Sequence, residues 1–149
     1  MANTSGPVEP GAEPSGRVGP LRIAPFARLE WPGGAVALTF FIGSRRMGRS
    51  YAFEHDGHLY QAPVGYYANR RQWDFAPGYE RDRKPDFTRP ITGDCLFCHA
   101  TKATLAGGEV NRYSAIVHGI GCARCHGESD SHDALIRPGK LSPRLRDSV

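Results

Sequence analysis

The sequence predicts a small, loop-rich α+β fold: a β-hairpin region followed by short helices that carry two Cys-x-x-Cys-His pentapeptides. Three observations predict it. Glycine and proline number 18 and 12 in 149 residues, so the chain turns often and leaves little room for long regular elements. Asp56-Gly57 separates two aromatic-containing segments, a pairing that favours a tight hairpin because both central residues need positive φ. Cys95-Leu96-Phe97-Cys98-His99 and Cys122-Ala123-Arg124-Cys125-His126 place two thiols and an imidazole at i, i+3 and i+4, on one side of a helical turn.

The elements follow in chain order. Residues 1–20 are rich in Gly, Pro, Ser and Glu and read as a disordered N-terminus. Ala35 to Ile42 is a continuous apolar run and reads as a buried strand. Ser50–His55 and His58–Ala62 form the two arms of the hairpin around Asp56-Gly57. From Val64 to Pro90 aromatics, arginines and prolines mix without a period; this stretch reads as irregular chain wrapped over an apolar object, either a cofactor ring or the hairpin itself. Asp94 is placed to cap a helix beginning at Cys95, and Gly107-Gly108 to end it. The second pentapeptide lies between Gly119-Ile120-Gly121 and Gly127, so its helix is expected to be one turn. Ser131 opens another short helical piece through Ile136, and 137–149 reads as a frayed tail. The domain division is therefore 1–20 disordered and 21–136 a single domain, with 21–90 strands, hairpin and aromatic-rich wrap and 91–136 an attachment region.

Cys-x-x-Cys-His is the attachment site of c-type haem. Each thiol adds across one porphyrin vinyl group, and the histidine binds the iron axially. The expected cofactors are two c-type haems with their iron: Cys95, Cys98, Cys122 and Cys125 anchor the rings, and His99 and His126 are the proximal ligands. Two such discs would also condense a chain too loop-rich to stabilise itself by core alone. The rival chemistry is zinc, since two Cys-x-x-Cys pairs can make a four-thiolate site. The separation of Cys98 from Cys122 is slightly long for a zinc ribbon. A histidine directly after each pair is required by haem attachment and by nothing in a zinc site. Thioredoxin-like redox chemistry lacks its βαβ context.

The remaining composition narrows the setting. A formal charge of +4 with arginines scattered rather than clustered gives no footprint for nucleic acid; arginines near a haem often meet its carboxylates. All four cysteines lie in the two motifs, leaving none for a disulfide. Covalent haem attachment takes place outside the cytoplasm, so a periplasmic or otherwise extracytoplasmic location is expected. Met1 to Pro20 has neither a basic n-region nor an apolar h-region, and the apolar run 35–42 is too short to span a membrane. The expectation is that the chain is a fragment, that its start is misassigned, or that a leader has been removed.

The second axial ligand of each iron has several candidates. His132 follows the second motif in a polar segment and ranks first; His118 precedes that motif by four residues and would serve the other haem. His55 and His58 flank the hairpin turn, where exposure is the default. Met47 is the only internal methionine and is followed by Gly48 in an arginine-rich turn, which argues against His/Met iron at both haems. Two bis-histidine, low-spin irons are therefore expected, closed to substrate and suited to moving electrons.

The stretches Ile42–Phe53, Asp56–Gln61, Trp73–Tyr79, Arg89–His99 and Gly119–Gly127 resemble bacterial multihaem cytochromes c of the cytochrome c-554 type, whose members are often linked to tetratricopeptide repeats. The resemblance covers about residues 35–136. It implies electron transfer between redox partner proteins by close-packed haems, with the six pentapeptide Cys and His residues carried over directly. Such proteins often place a histidine shortly after a Cys-His-Gly-Pro-Gly run, where His132 falls; this chain reads Cys125-His126-Gly127-Glu128-Ser129, without the Pro-Gly. Relatives also tend to carry a further haem motif upstream and more chain downstream, so a partial member is expected, completed in full-length form by a further haem domain or a repeat segment. Two other functions compete: part of a multihaem oxidoreductase acting on small nitrogen species, which lacks an acid/base constellation here, and a zinc-binding module.

Overall fold

A computed structural model describes residues 5–9, 11, 13–44 and 46–121. The elements are β1 (Ser5–Pro7), β2 (Gly16–Val18), β3 (Leu21–Ala24), β4 (Arg28–Trp31), β5 (Gly34–Ala37), β6 (Phe40–Ser44), β7 (Gly48–His55), β8 (His58–Tyr67), β9 (Gln72–Phe75), α1 (Gly93–His99), β10 (Ala100–Leu105) and β11 (Tyr113–His118). Strands take 52% of the described residues and helix 6%. The expected α+β class with several short helices is therefore corrected: the described chain is a β fold with one helix.

The correction has a local cause. Residues 16–37 form a four-stranded antiparallel meander, β2-β3-β4-β5, of strands only three or four residues long. Gly19-Pro20 and Pro32-Gly33 make two of its turns, with Gly19 at φ 55° and Gly33 at φ 114°. Runs this short carry almost no periodicity, so only the spacing of turn residues marks them. The first twenty residues contribute β1 and β2, although their composition reads as disordered. The apolar run 35–42 divides between β5 and β6, at Leu38-Thr39.

The larger sheet has the order β1-β6-β7-β8-β9, all antiparallel. Asp56-Gly57 joins β7 to β8 with φ of 50° and 77°, and His55 pairs with His58, which is the hairpin expected there. Alternate side chains leave the sheet in opposite directions, and both faces are covered. Phe41, Tyr51, Phe53, Val64 and Phe75 pack with Leu21, Ile23 and Leu29 of the meander. Phe40, Ala52 and Leu59 pack with Ile91, Leu96 and Ala100 on the other side, where α1 lies.

Two irregularities shape that second side. The register of β7 against β8 shifts between Ser50 and Ala52, opposite Ala62-Pro63-Val64. A proline has no N–H for the ladder, and a bulge is where a sheet tolerates one; its carbonyl instead accepts from Ala76 N–H at 3.0 Å. Segment 89–91 then runs beside the start of β8, with Gln61 N–H donating to Arg89 O at 2.8 Å and Ile91 N–H to Leu59 O at 2.9 Å.

Helix α1 is short because its next residue joins a ladder. Ala100 is extended, at φ −132° and ψ 152°, and pairs with His118 of β11. Thr101, Thr104, Ile116 and Val117 give the β10-β11 hairpin its β-branched content. Gly107-Gly108, expected to end a helix, instead turns this hairpin with φ of 65° and 76°. Thr92, not Asp94, occupies the cap position; Asp94 lies in the first turn.

Candidate functional site

Cys95, Cys98 and His99 all lie on α1. At 3.6 residues per turn the three fall within an arc of about 100° on the helix. Leu96 leaves the helix outside that arc, about 60° beyond His99, and is fully buried under the large sheet, which fixes the rotation of the helix. Cys95 is half-buried and Cys98 exposed. Thr92 Oγ1 lies 3.7 Å from Cys95 Sγ.

Cys95 and His99 open onto a cavity of about 620 Å³, within the roughly 300–1,000 Å³ range of small-molecule and cofactor sites. Its walls come from three distant parts of the chain. Ile42, Gly43, Met47, Gly48 and Arg49 stand at the β6-β7 turn; Ser50, Tyr51 and Gln61 surround the bulge; Tyr67, Asn69, Pro77, Arg89 and Ile91 complete the enclosure. Cys98 is not on the wall.

Two guanidiniums border this space in different states. Arg49 is ion-paired with Glu13, and both side chains are nearly buried, at 10% and 4% exposure. Its charge is therefore largely neutralised. Tyr51 lies beside the pair; burial, then the Glu13 carboxylate, hold its hydroxyl proton far above the usual phenol range. Arg89 is exposed, donates to Pro77 O at 3.3 Å and lies 5.6 Å from the Tyr79 ring centre. Its exposed charge is placed to meet an anionic group at the cavity.

The aromatics of 64–90 mostly serve the core. Trp73 packs on Tyr51 and Tyr66, and Phe87 on Trp31 and Phe53. Of the aromatics between 66 and 79, Tyr67 alone is on the cavity wall, so a broad aromatic shield around the cavity is not what these residues build.

The other histidines lie elsewhere. His118 packs with its ring tilted against Phe40, 5.0 Å between centres, and burial lowers its pKa; it does not line the cavity. His58 contacts the Asp56 carbonyl and the Glu109 carboxylate, and His55 sits beside Asp56. Cys122, Cys125, His126 and His132 lie outside the described residues. The chain leading to them is well placed: Gly121 N–H donates to Thr101 Oγ1 at 2.8 Å, and Thr101 Oγ1 donates to Gly119 O at 3.0 Å. Among the described residues no three His, Cys, Asp or Glu side chains gather as metal ligands, and no helix is long and apolar enough to cross a membrane.

Sequence reasoning missed Met47, Arg49, Arg89 and Gln61 as cavity residues. Met47, Arg49 and Gln61 are separated from the pentapeptide by strands and turns that only tertiary pairing brings back, whereas Arg89 lies six residues before Cys95 and carries no motif of its own. Residues 71–127 match the family model for cytochrome c554 and c-prime. This cytochrome match covers fewer than half of the 149 residues, running from the β8-β9 turn through α1, β10 and β11 to the end of the second pentapeptide. It supports a cytochrome c family, and with it haem c as cofactor, haem-based electron transfer and an extracytoplasmic setting. No curated protein and no solved structure matches the chain.

The donor set fits a c-type haem. Two thiols able to form thioethers stand with an imidazole on one arc of a helix, and one of them, Cys95, lines with His99 a largely apolar cavity that Arg89 borders with an exposed cation. That combination suits a disc that is apolar across its face and carries carboxylates at one edge.

Proposed function

We propose that the protein is a single-electron carrier holding two covalently bound c-type haems, one on each pentapeptide. The observation that carries this reading is the cavity of about 620 Å³ lined by Cys95 and His99. In the first site Cys95 and Cys98 would hold the ring by thioethers, each thiol adding across a vinyl group with no oxidant consumed. His99 would be the proximal ligand, and Arg89 would pair with a haem carboxylate. In the second site Cys122, Cys125 and His126 take the same roles, with His132 as the distal candidate. The bound haem supplies a reversible one-electron couple whose potential depends on axial ligands and exposure.

The protein's own contribution is positional. Leu96 anchors α1, Tyr67 and Ile91 line part of the cavity, and the hydrogen bonds of Thr101 hold Gly119 and Gly121 against β10. The two haems would pass electrons to and from redox proteins outside the cytoplasm. A further haem domain or a tetratricopeptide-repeat segment would fit a longer form.

Co-expression with haem-attachment machinery, followed by a denaturing gel stained for haem peroxidase activity, tests the reading. Wild type should stain with two haems per chain, Cys95→Ser/Cys98→Ser with one. A colourless protein that binds stoichiometric zinc would sink it. A high-spin component that shifts with nitrite or cyanide would favour the oxidoreductase alternative.

A further inference from the structure

The haem proposed for α1 leaves one axial position of its iron to a second side chain. We infer that Met47 supplies this ligand through its thioether sulfur, making the first haem a His/Met site; this ligation rests on the haem proposed for α1. The sequence offers Met47 as its only internal methionine but ranks histidine above it as the ligand type.

Met47 and His99 line the same cavity, although 52 positions separate them in the sequence (99 − 47). Met47 is 65% exposed, while its backbone is held on both sides. Met47 N–H donates to Ser44 Oγ at 3.1 Å, and its carbonyl accepts from Ala68 N–H at 3.1 Å. A turn tied to β6 and to the β8-β9 connection thus holds Met47 on the cavity wall without tucking it into the core. Single exposed apolar residues are ordinary; one on an anchored turn, on the wall that the proximal histidine shares, is not.

The histidines offer no competitor among the described residues. His118 rests on Phe40, and His58 is engaged with Asp56 and Glu109. His55 is directed to Asp56 and solvent, its side chain 72% exposed. None of these three lines the cavity. A thioether is also uncharged and soft, so it binds haem iron without bringing charge into an apolar space. The two haems would then differ: methionine raises the potential of the first relative to a bis-histidine second, which biases the resting electron toward α1.

The test uses the full chain with its haems attached and compares wild type with Met47→Leu, which keeps the side-chain volume. Haem content is measured first, by the pyridine haemochrome. Wild type should show the far-red charge-transfer band of methionine sulfur to ferric iron and, when reduced, a methionine methyl proton resonance shifted far upfield by the ring current. Met47→Leu should keep its haem and lose both signals. Met47→His should keep its haem, convert the spectrum to bis-imidazole type and lower the potential of one haem. Wild type with attached haem but neither signal, or a Met47→Leu spectrum unchanged from wild type, overturns the ligation while leaving the haem reading intact. Absence of haem from wild type overturns both.

Discussion

At the scale of single residues, the cavity depends on close backbone approach. Gly43, on its wall, has φ 123°, and a Cβ there would lie 2.4 Å from the Gly48 carbonyl oxygen. Backbone strain of this kind costs about 1–3 kcal/mol, and a clash with backbone cannot be relieved by a side-chain rotation. Gly43→Ala should therefore lower stability by at least that amount and displace the turn that carries Met47. A urea midpoint unchanged from wild type would show that the turn yields freely. The same scale holds most of what is legible in the sequence. The two thiols and the imidazole of α1 are read from five consecutive residues because attachment chemistry is local. Met47 is not legible in this way, since nothing within its own turn connects it to His99.

At the scale of elements, α1 has a single anchor. Leu96 is its only buried residue, packed among Phe40, Ala52, Leu59, Ile91 and Ala100. Truncation of a buried leucine costs about 2–5 kcal/mol. Leu96→Ala should destabilise the protein on that order and let α1 rotate, so the yield of haem on the first pentapeptide should fall while the second is less affected. Mass spectrometry of tryptic haem peptides separates the two. Element type is only partly legible. Asp56-Gly57 defines its hairpin because positive φ at both positions leaves few alternatives. Gly107-Gly108 does not: positive φ serves a helix end and a hairpin turn equally, and the choice is made by pairing of β10 with β11 across the turn. The meander escapes because strands of three or four residues carry no usable period.

At the scale of the whole molecule, the core between the two larger sheets holds ionisable aromatics away from water. Tyr79 is buried there, and burial, reinforced by Asp86 and opposed by Arg89, raises its pKa to about 12. Below pH 10 the phenol is neutral in both folded and unfolded chains, so it places no penalty on folding. Between pH 10 and about 12 the unfolded chain ionises while the folded one keeps its proton, and stability is lost across that window. Tyr51, Tyr67 and Tyr113 are shifted in the same direction. Denaturant midpoints should fall steeply above pH 10, and Tyr79→Phe should flatten part of the fall; a slope unchanged in that variant would remove Tyr79 from the account. What the sequence determined by itself was chemistry carried by neighbours along the chain: the two pentapeptides and the tight turn at Asp56-Gly57. Only the tertiary structure decided that the fold is a set of β-sheets, that most aromatics of 64–90 build the core, and that Met47, Arg89 and His99 share one cavity. The reason is physical: the sheets, the aromatic core and the meeting of Met47 with His99 rest on backbone pairing and burial between segments tens of residues apart, which local propensity and spacing do not encode.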